Sequence, residues 1–214
     1  NIVAASNKNM VKKFIFASSS SVYGDKKKFP LKENMNISPK NIYAATKKIN
    51  EDIANDLSKI SNMKMIGLRF FTVYGKFGRP DMFIFKFLHS LLNSKKFYLY
   101  NKGNHFRDYT HIDDVVNIII SLIKKKITKK FQIFNICSND PIDLNKLVKF
   151  ISDFVNINPK IIKKKRNNIE VLKTHGDNKK ILNFLKIKLK KNIFFELPNI
   201  IEWYKKKQIL KLKN

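Results

Sequence analysis

An α/β fold built on a parallel sheet is what the sequence predicts, and two observations predict it. Apolar runs of strand length alternate with longer segments of helical periodicity, and polar residues gather where the runs end. Val11-Lys-Lys-Phe-Ile-Phe-Ala17 and Met63-Lys-Met-Ile-Gly-Leu-Arg-Phe-Phe71 read as short buried strands, with a polar loop and then a helix between them. Strand, loop, helix, strand is a βαβ unit. In such sheets ligands bind beyond the carboxyl ends of the strands, which is where Ser18 to Ser21 and Thr72 to Arg79 fall.

The intervening helix is signalled by Ser38 as a cap, by Pro39 in its first turn, and by Ile42, Ile49, Ile53 and Leu57 at near-helical spacing. Downstream, Met82 to Leu92 predicts an apolar helix with Phe83, Phe85 and Phe87 in the core. Phe97 to Tyr100 predicts a short strand and Gly103 a turn. Asp108 to Asp114 opens a helix that continues through Val115, Ile118, Ile119 and Leu122, and Asp113 and Asp114 complement its N-terminus. Phe131 to Ile136 predicts another strand and Asp143 the start of a helix, while Trp203 and Tyr204 close the last helix as packing residues. His89, His105, His111 and His175 are isolated and read as packing or surface residues.

The formal charge of +28 over 214 residues would ordinarily suggest nucleic acid or an anionic membrane as partner. Here the surplus is nearly all lysine, spread through the chain in company with isoleucine and asparagine. The runs Lys26 to Lys28, Lys124 to Lys126 and Lys163 to Arg166 are expected in loops or at helix ends, where solvation is their usual fate. Without a recognition fold, we expect no nucleic-acid partner and no membrane partner. A single cysteine, Cys137, excludes an internal disulfide framework and offers no metal-site spacing, so the expected compartment is reducing and cytoplasmic.

Tyr43 and Lys47 carry the chemistry. Four residues apart on one helix, they project from the same face, so an ammonium can favour the phenolate of a group that otherwise titrates near about 10. That is what a general base for a sugar hydroxyl needs, and Ser19 can hold the reacting oxygen. Tyr-x-x-x-Lys alone is weak. Five motifs occur in order, however: Ala17-Ser-Ser-Ser-Ser-Val-Tyr-Gly24, Tyr43-Ala-Ala-Thr-Lys-Lys48, Gly67-Leu-Arg-Phe-Phe-Thr-Val-Tyr-Gly75, Gly78-Arg-Pro-Asp-Met82 and Phe106-Arg-Asp-Tyr-Thr-His-Ile-Asp-Asp114. In these the chain resembles the extended short-chain dehydrogenase/reductases, and among them the UDP-glucuronate 4-epimerases.

The resemblance implies NAD as cofactor and a UDP-sugar as substrate, with the C-terminal part of a Rossmann-type domain joined to a smaller α/β substrate-binding domain. Residues 1–75 would be the remainder of the NAD-binding domain and 76–214 mainly the nucleotide-sugar domain, with about 110–136 returning to the first. The family's glycine-rich cradle for the pyrophosphate does not occur in the sequence. Asn1 to Ser6 resemble the tail of the helix preceding the serine-bearing strand, so we expect a C-terminal fragment lacking roughly a hundred residues, inactive alone and homodimeric when full length. An exposed parallel edge at the first strand would follow.

Residue by residue, the resemblance implies Ser19, Tyr43 and Lys47 as the catalytic set, with Ala17, Ser18, Tyr43, Lys47 and Phe70 along the cofactor. Ser19, Ser20, Ser21, Thr72, Arg79, Arg107 and Arg166 would bind substrate. Dehydratases of the superfamily carry an aspartate and a glutamate where Ser20 and Ser21 stand, so the implied chemistry is 4-epimerisation without elimination. Thr72 and Arg79 would hold the C5 carboxylate of a uronic acid, and Arg107 and Arg166 the diphosphate. Arg69 is the exception among the four arginines, expected in an internal ion pair.

Overall fold

The computed structural model describes residues 1–165 and 171–211. Its elements run α1 (Ile2–Lys8), β1 (Lys13–Ser19), α2 (Ile42–Ile60), β2 (Lys64–Phe70), β3 (Thr72–Tyr74), α3 (Phe83–Leu92), β4 (Phe97–Tyr100), β5 (Phe106–His111), α4 (Ile112–Lys124), β6 (Phe131–Ile136), β7 (Pro141–Asp143), α5 (Leu144–Val155), β8 (Ile161–Lys164), α6 (Lys179–Leu185) and α7 (Ile193–Lys211). A short 3-10 turn, Ser20–Tyr23, follows β1, and Gly24 closes it at φ +64. A Cβ there would sit 2.0 Å from the Ser38 carbonyl, so glycine lets the serine loop fold back on the approach to α2.

Strands β1, β2 and β6 form a parallel sheet in that order, with β2 in the centre. Residues of β2 are accordingly buried, whereas Phe14, Ile15 and Phe16 of the edge strand β1 are half-buried. One face packs Ile66, Leu68, Phe134 and Ile136 against Val115, Ile118 and Leu122 of α4 and Ile181 of α6. The other packs Met63, Met65 and Ala54 with Phe14, Phe16, Leu57 and Val3. Beyond β2 the chain passes into β3, which lies parallel to β5, while β7 runs antiparallel to β5. A second core, with Phe85, Phe87, Leu88, Tyr109, Leu147, Ile151, Leu197 and Ile201, joins α3, α5 and α7 to these strands. Trp203 packs on Phe77 and Phe85 in the middle of α7 rather than at its end.

Several expectations need correction. Asn41, not Ser38, caps α2: its side-chain oxygen accepts the Ala44 N–H at 2.8 Å, and Ser38 is instead tied to Val22 through its backbone N–H. The buried positions of α2 are Ala44, Glu51, Ala54 and Ser58, whereas Ile42, Ile49 and Ile53 point outward, because small residues let the helix lie close on the sheet. Finally, Phe106 to His111 is a strand, and the helix after it begins only at Ile112, with the His111 Nδ1 accepting the Asp113 N–H at 3.2 Å. Asp114 is buried and accepts from the backbone N–H groups of Lys190 and Lys191. Of the lysine runs, Lys163 and Lys164 lie in β8, exposed, rather than in a loop. No helix among the described residues is long and apolar enough to cross a membrane.

Candidate active site

The carboxyl end of β1 carries the serine run to the rim of the sheet. Ser19 is buried and caps the following 3-10 turn: its Oγ accepts the Ser21 N–H at 3.2 Å and the Ser21 hydroxyl at 2.9 Å. Both lone pairs of that hydroxyl are thereby engaged, and what it can offer a bound oxygen is its proton. Ser20 and Ser21 are half-buried beside it, and across the β1–β2 pairing Phe70 stands opposite Ser19.

Helix α2 lays Tyr43 and Lys47 over this rim. Tyr43 is 57 % exposed, so its phenol is open to a ligand, and the Lys47 ammonium lies 5.8 Å from the ring centroid. The same ammonium donates to the Ala17 carbonyl at 3.0 Å, which ties helix to strand where β1 ends. Ser18, expected from the sequence along the cofactor, turns its hydroxyl the other way, into the core, where it donates to Glu51. At the edge of a sheet covered by a helix, alternate residues face alternate sides, and Ser18 falls on the α2 side.

Arg69 occupies the expected internal ion pair. Its Nε and Nη2 donate to the two carboxylate oxygens of Glu51 at 2.9 and 2.8 Å, and both residues are about as buried as the core. The guanidinium also stacks 4.8 Å from the Tyr23 ring centroid. Burial pushes the Tyr23 phenol up to about 12 against the pull of Arg69, and it donates to Asn135 at 2.7 Å. It is a proton holder, not a base.

A cleft of about 230 Å³ opens beyond the sheet, lined among others by Thr72, Met82, Tyr98, Tyr100, Arg107 and Tyr109. A narrower crevice joins Thr72 to Arg79. Arg79 is exposed and forks onto Asp81, with Nε donating at 3.0 Å. Hydrogen bonding to Asp81, together with the Asp81 charge, holds the guanidinium pKa above its ordinary value. Arg107 donates to the Phe106 and Leu172 carbonyls at 3.0 and 3.2 Å. Next to it, buried Asp108 of β5 accepts from Ser138, Asn139 and Gly176, drawing two loops together on that strand. Arg166, the other diphosphate candidate, lies outside the described residues.

The sequence did not point to Glu51, to the tyrosines of β4 or to the Asp108 hub. Glu51 had one signal, its place four residues after Lys47 on the same helical face. Among the described residues no group of acidic, histidine and cysteine side chains could hold a metal ion. Burial raises the Cys137 thiol far above its ordinary value, so it is not poised as a nucleophile.

A family model described as the NAD dependent epimerase/dehydratase family matches residues 1–137. The chain belongs to that family. Relatives of the chain include an uncharacterized protein of Methanocaldococcus jannaschii, 39 % identical over 95 % of the chain and 62 % of the relative. UDP-glucuronate 4-epimerase 4 of Arabidopsis thaliana is 33 % identical over 89 % of the chain and 47 % of its own length. Among solved structures, MoeE5 in complex with UDP-glucuronic acid and NAD superimposes with a TM-score of 0.91 at 26 % identity, covering 96 % of the chain and 69 % of that structure. The UDP-glucose 4-epimerase of Thermotoga maritima gives 0.89 at 25 % identity, over 97 % and 68 %. The fold is therefore Rossmann-type, as the resemblance implied. The chain spans 62 to 66 % of the length of the first relatives it matches.

Proposed function

We propose that the chain carries the tyrosine–lysine half of an NAD-dependent nucleotide-sugar 4-epimerase, acting on UDP-glucuronate to give UDP-galacturonate. The observation that carries this reading is the exposed Tyr43 phenol one helical turn from Lys47, whose ammonium is anchored to the Ala17 carbonyl at the strand end. The rim fits the nicotinamide end of a dinucleotide: an ammonium with donors beyond the one given to Ala17, and Phe70 at the end of β2. Bound there, NAD would supply hydride removal from C4 and its return.

In this scheme Tyr43 takes the proton of the sugar 4-hydroxyl and later gives it back, while Ser19 donates to the same oxygen. Lys47 holds the helix end and the cofactor ribose. Neither Ser20 nor Ser21 can act as the acid or base of a water elimination, so proton movement is confined to the 4-oxygen. Thr72 and Arg79 would grip the sugar carboxylate. A 4-ketone makes that acid prone to lose carbon dioxide, and a grip that keeps the carboxylate out of alignment with the carbonyl prevents it.

A second reading, a neutral UDP-hexose as substrate, is supported by the Asp81 carboxylate already seated on Arg79. A chromatographic assay of UDP-glucuronate with the full-length protein separates the two. We expect UDP-galacturonate, abolished by Tyr43→Phe, and weakened binding or decarboxylated product from Arg79→Ala. Turnover of UDP-glucose alone would remove the uronate assignment, and activity surviving Tyr43→Phe would remove the mechanism.

A further inference from the structure

A polar row crosses the sheet one residue below the rim. Ser18, Arg69 and Asn135 are direct neighbours across β1, β2 and β6. All three are buried and lie on the same side of the sheet. Glu51 enters this row from the helix, accepting from Ser18 Oγ and from both prongs of Arg69. The row continues without a gap: Arg69 Nη1 donates to the Glu33 carbonyl, Tyr23 stacks on the guanidinium and donates to Asn135, and the Asn135 N–H donates to the Glu33 carboxylate at 2.8 Å.

Such a row is a costly way to hold a helix on a sheet. Buried ion pairs lose so much hydration that well-packed apolar residues of the same volume often stabilise as well or better. What a bidentate, fully hydrogen-bonded pair gives instead is a fixed height and register. Tyr43, Lys47 and Glu51 follow at intervals of four on one face of α2, so a fixed Glu51 fixes the other two. Two consecutive residues of β1 receive that face: the Ala17 carbonyl takes Lys47 and the Ser18 hydroxyl gives to Glu51.

We infer that Glu51, clamped by Arg69 and Ser18, is a positioning residue that sets Tyr43 and Lys47 over the end of β1. The inference rests on the proposed role of Tyr43 and Lys47. Glu51 touches neither substrate nor cofactor; it acts through the helix. Its conservative variant, Glu51→Asp, keeps the charge and shortens the arm by one methylene, so the helix must shift or the fork must open.

The test compares full-length wild type, Glu51→Asp, Ser18→Ala and Tyr43→Phe. Three quantities are read: kcat and KM for the UDP-sugar, the NAD dissociation constant by quenching of intrinsic fluorescence, and the melting temperature. For Glu51→Asp we expect kcat to fall roughly ten- to a hundredfold with KM nearly unchanged, because a misplacement of about 1 Å costs on that scale. NAD affinity should weaken several-fold through Lys47. Ser18→Ala, which leaves the ion pair intact, should change the same quantities in the same direction by less, and it keeps the test valid should Glu51→Asp not fold. A lowered melting temperature with kcat and NAD affinity unchanged would overturn the inference and leave the row merely structural. Activity surviving Tyr43→Phe would instead overturn the reading beneath it, and NAD affinity alone would still decide whether Glu51 positions Lys47.

Discussion

Arg69 and Arg79 bring the same guanidinium into opposite surroundings, and their substitutions should separate accordingly. Arg69 is buried, with its Nε, Nη1 and Nη2 each donating to Glu51 or Glu33, whereas the Arg79 side chain is 76 % exposed with Asp81 as its partner. Arg69→Lys keeps the charge but loses the fork, leaving Glu51 poorly compensated in the core; a broken buried pair costs about 3–5 kcal/mol, which thermal or denaturant unfolding would register. Arg79→Lys should leave stability within about 0.5 kcal/mol. Yet it should raise KM for a uronate roughly tenfold or more, as lost charge-assisted hydrogen bonds do, while a neutral sugar stays unaffected. An equal change for both sugars would detach Arg79 from carboxylate recognition. At this scale the sequence was legible where chemistry depends on spacing: Tyr43 and Lys47 lie one helical turn apart. It was not legible where a contact closes across 33 residues, as between Ser18 and Glu51. Nothing in the serine run distinguishes the hydroxyl that caps a turn from the one that turns inward.

At the scale of elements, apolar patterns located β2 and β6 to within a residue or so, since a strand buried on both sides is a continuous apolar run, and the aromatic run Phe97 to Tyr100 located β4 although Tyr98 and Tyr100 are exposed. Helix α2 was located but its buried face was not, because alanines and one glutamate contact the sheet while the isoleucines face out. The segment leading into α6 was less legible still. Residues 173–177 form a strap between β5 and the 24–38 loop: Thr174 donates to the Phe106 carbonyl, Leu31 to that of His175, and Asp177 to that of Leu31. His175 lies in the strap, stacked on Phe29, and its Nε2 pairs with the Asn139 side-chain oxygen at 2.8 Å. That pairing makes Nε2 the donor and leaves Nδ1, buried and without a hydrogen-bond partner, unprotonated. Burial, then Lys173, accordingly lowers the His175 pKa. The sign follows: with the folded value below the unfolded one near 6.5, the contribution to stability is complete above about pH 6.5 and is lost as pH falls through the folded value. Amide exchange at Leu31, Thr174 and Asp177 should therefore quicken between pH 7.5 and 5.5 relative to core amides, and His175→Gln should abolish that pH dependence. Equal quickening in the variant would assign it to another group.

At the scale of the molecule, the sheet poses the larger question. β2 has neighbours on both sides, while β1 is hydrogen-bonded to β2 alone among the described residues, so half of its backbone N–H groups point away from any strand. Its side chains repeat the point: Phe14, Ile15 and Phe16 are only half-buried in a strand whose sequence is as apolar as that of β2. An open, apolar parallel edge is a template for pairing, and the +28 charge opposes such association only while salt does not screen it. The edge was legible in advance because a parallel strand of this composition wants both neighbours. Two preparations test it by hydrogen exchange: the 214-residue chain by itself, and a protein of the relatives' full length. In the shorter chain, alternate amides of β1 should exchange within minutes, and light scattering should rise with salt as repulsion is screened. In the longer protein, a further strand at this edge should protect those amides to the level of β2 and remove the salt dependence. The same protection of β1 in both preparations would mean that the edge is already closed, and that the end of β1 is supported without any additional strand.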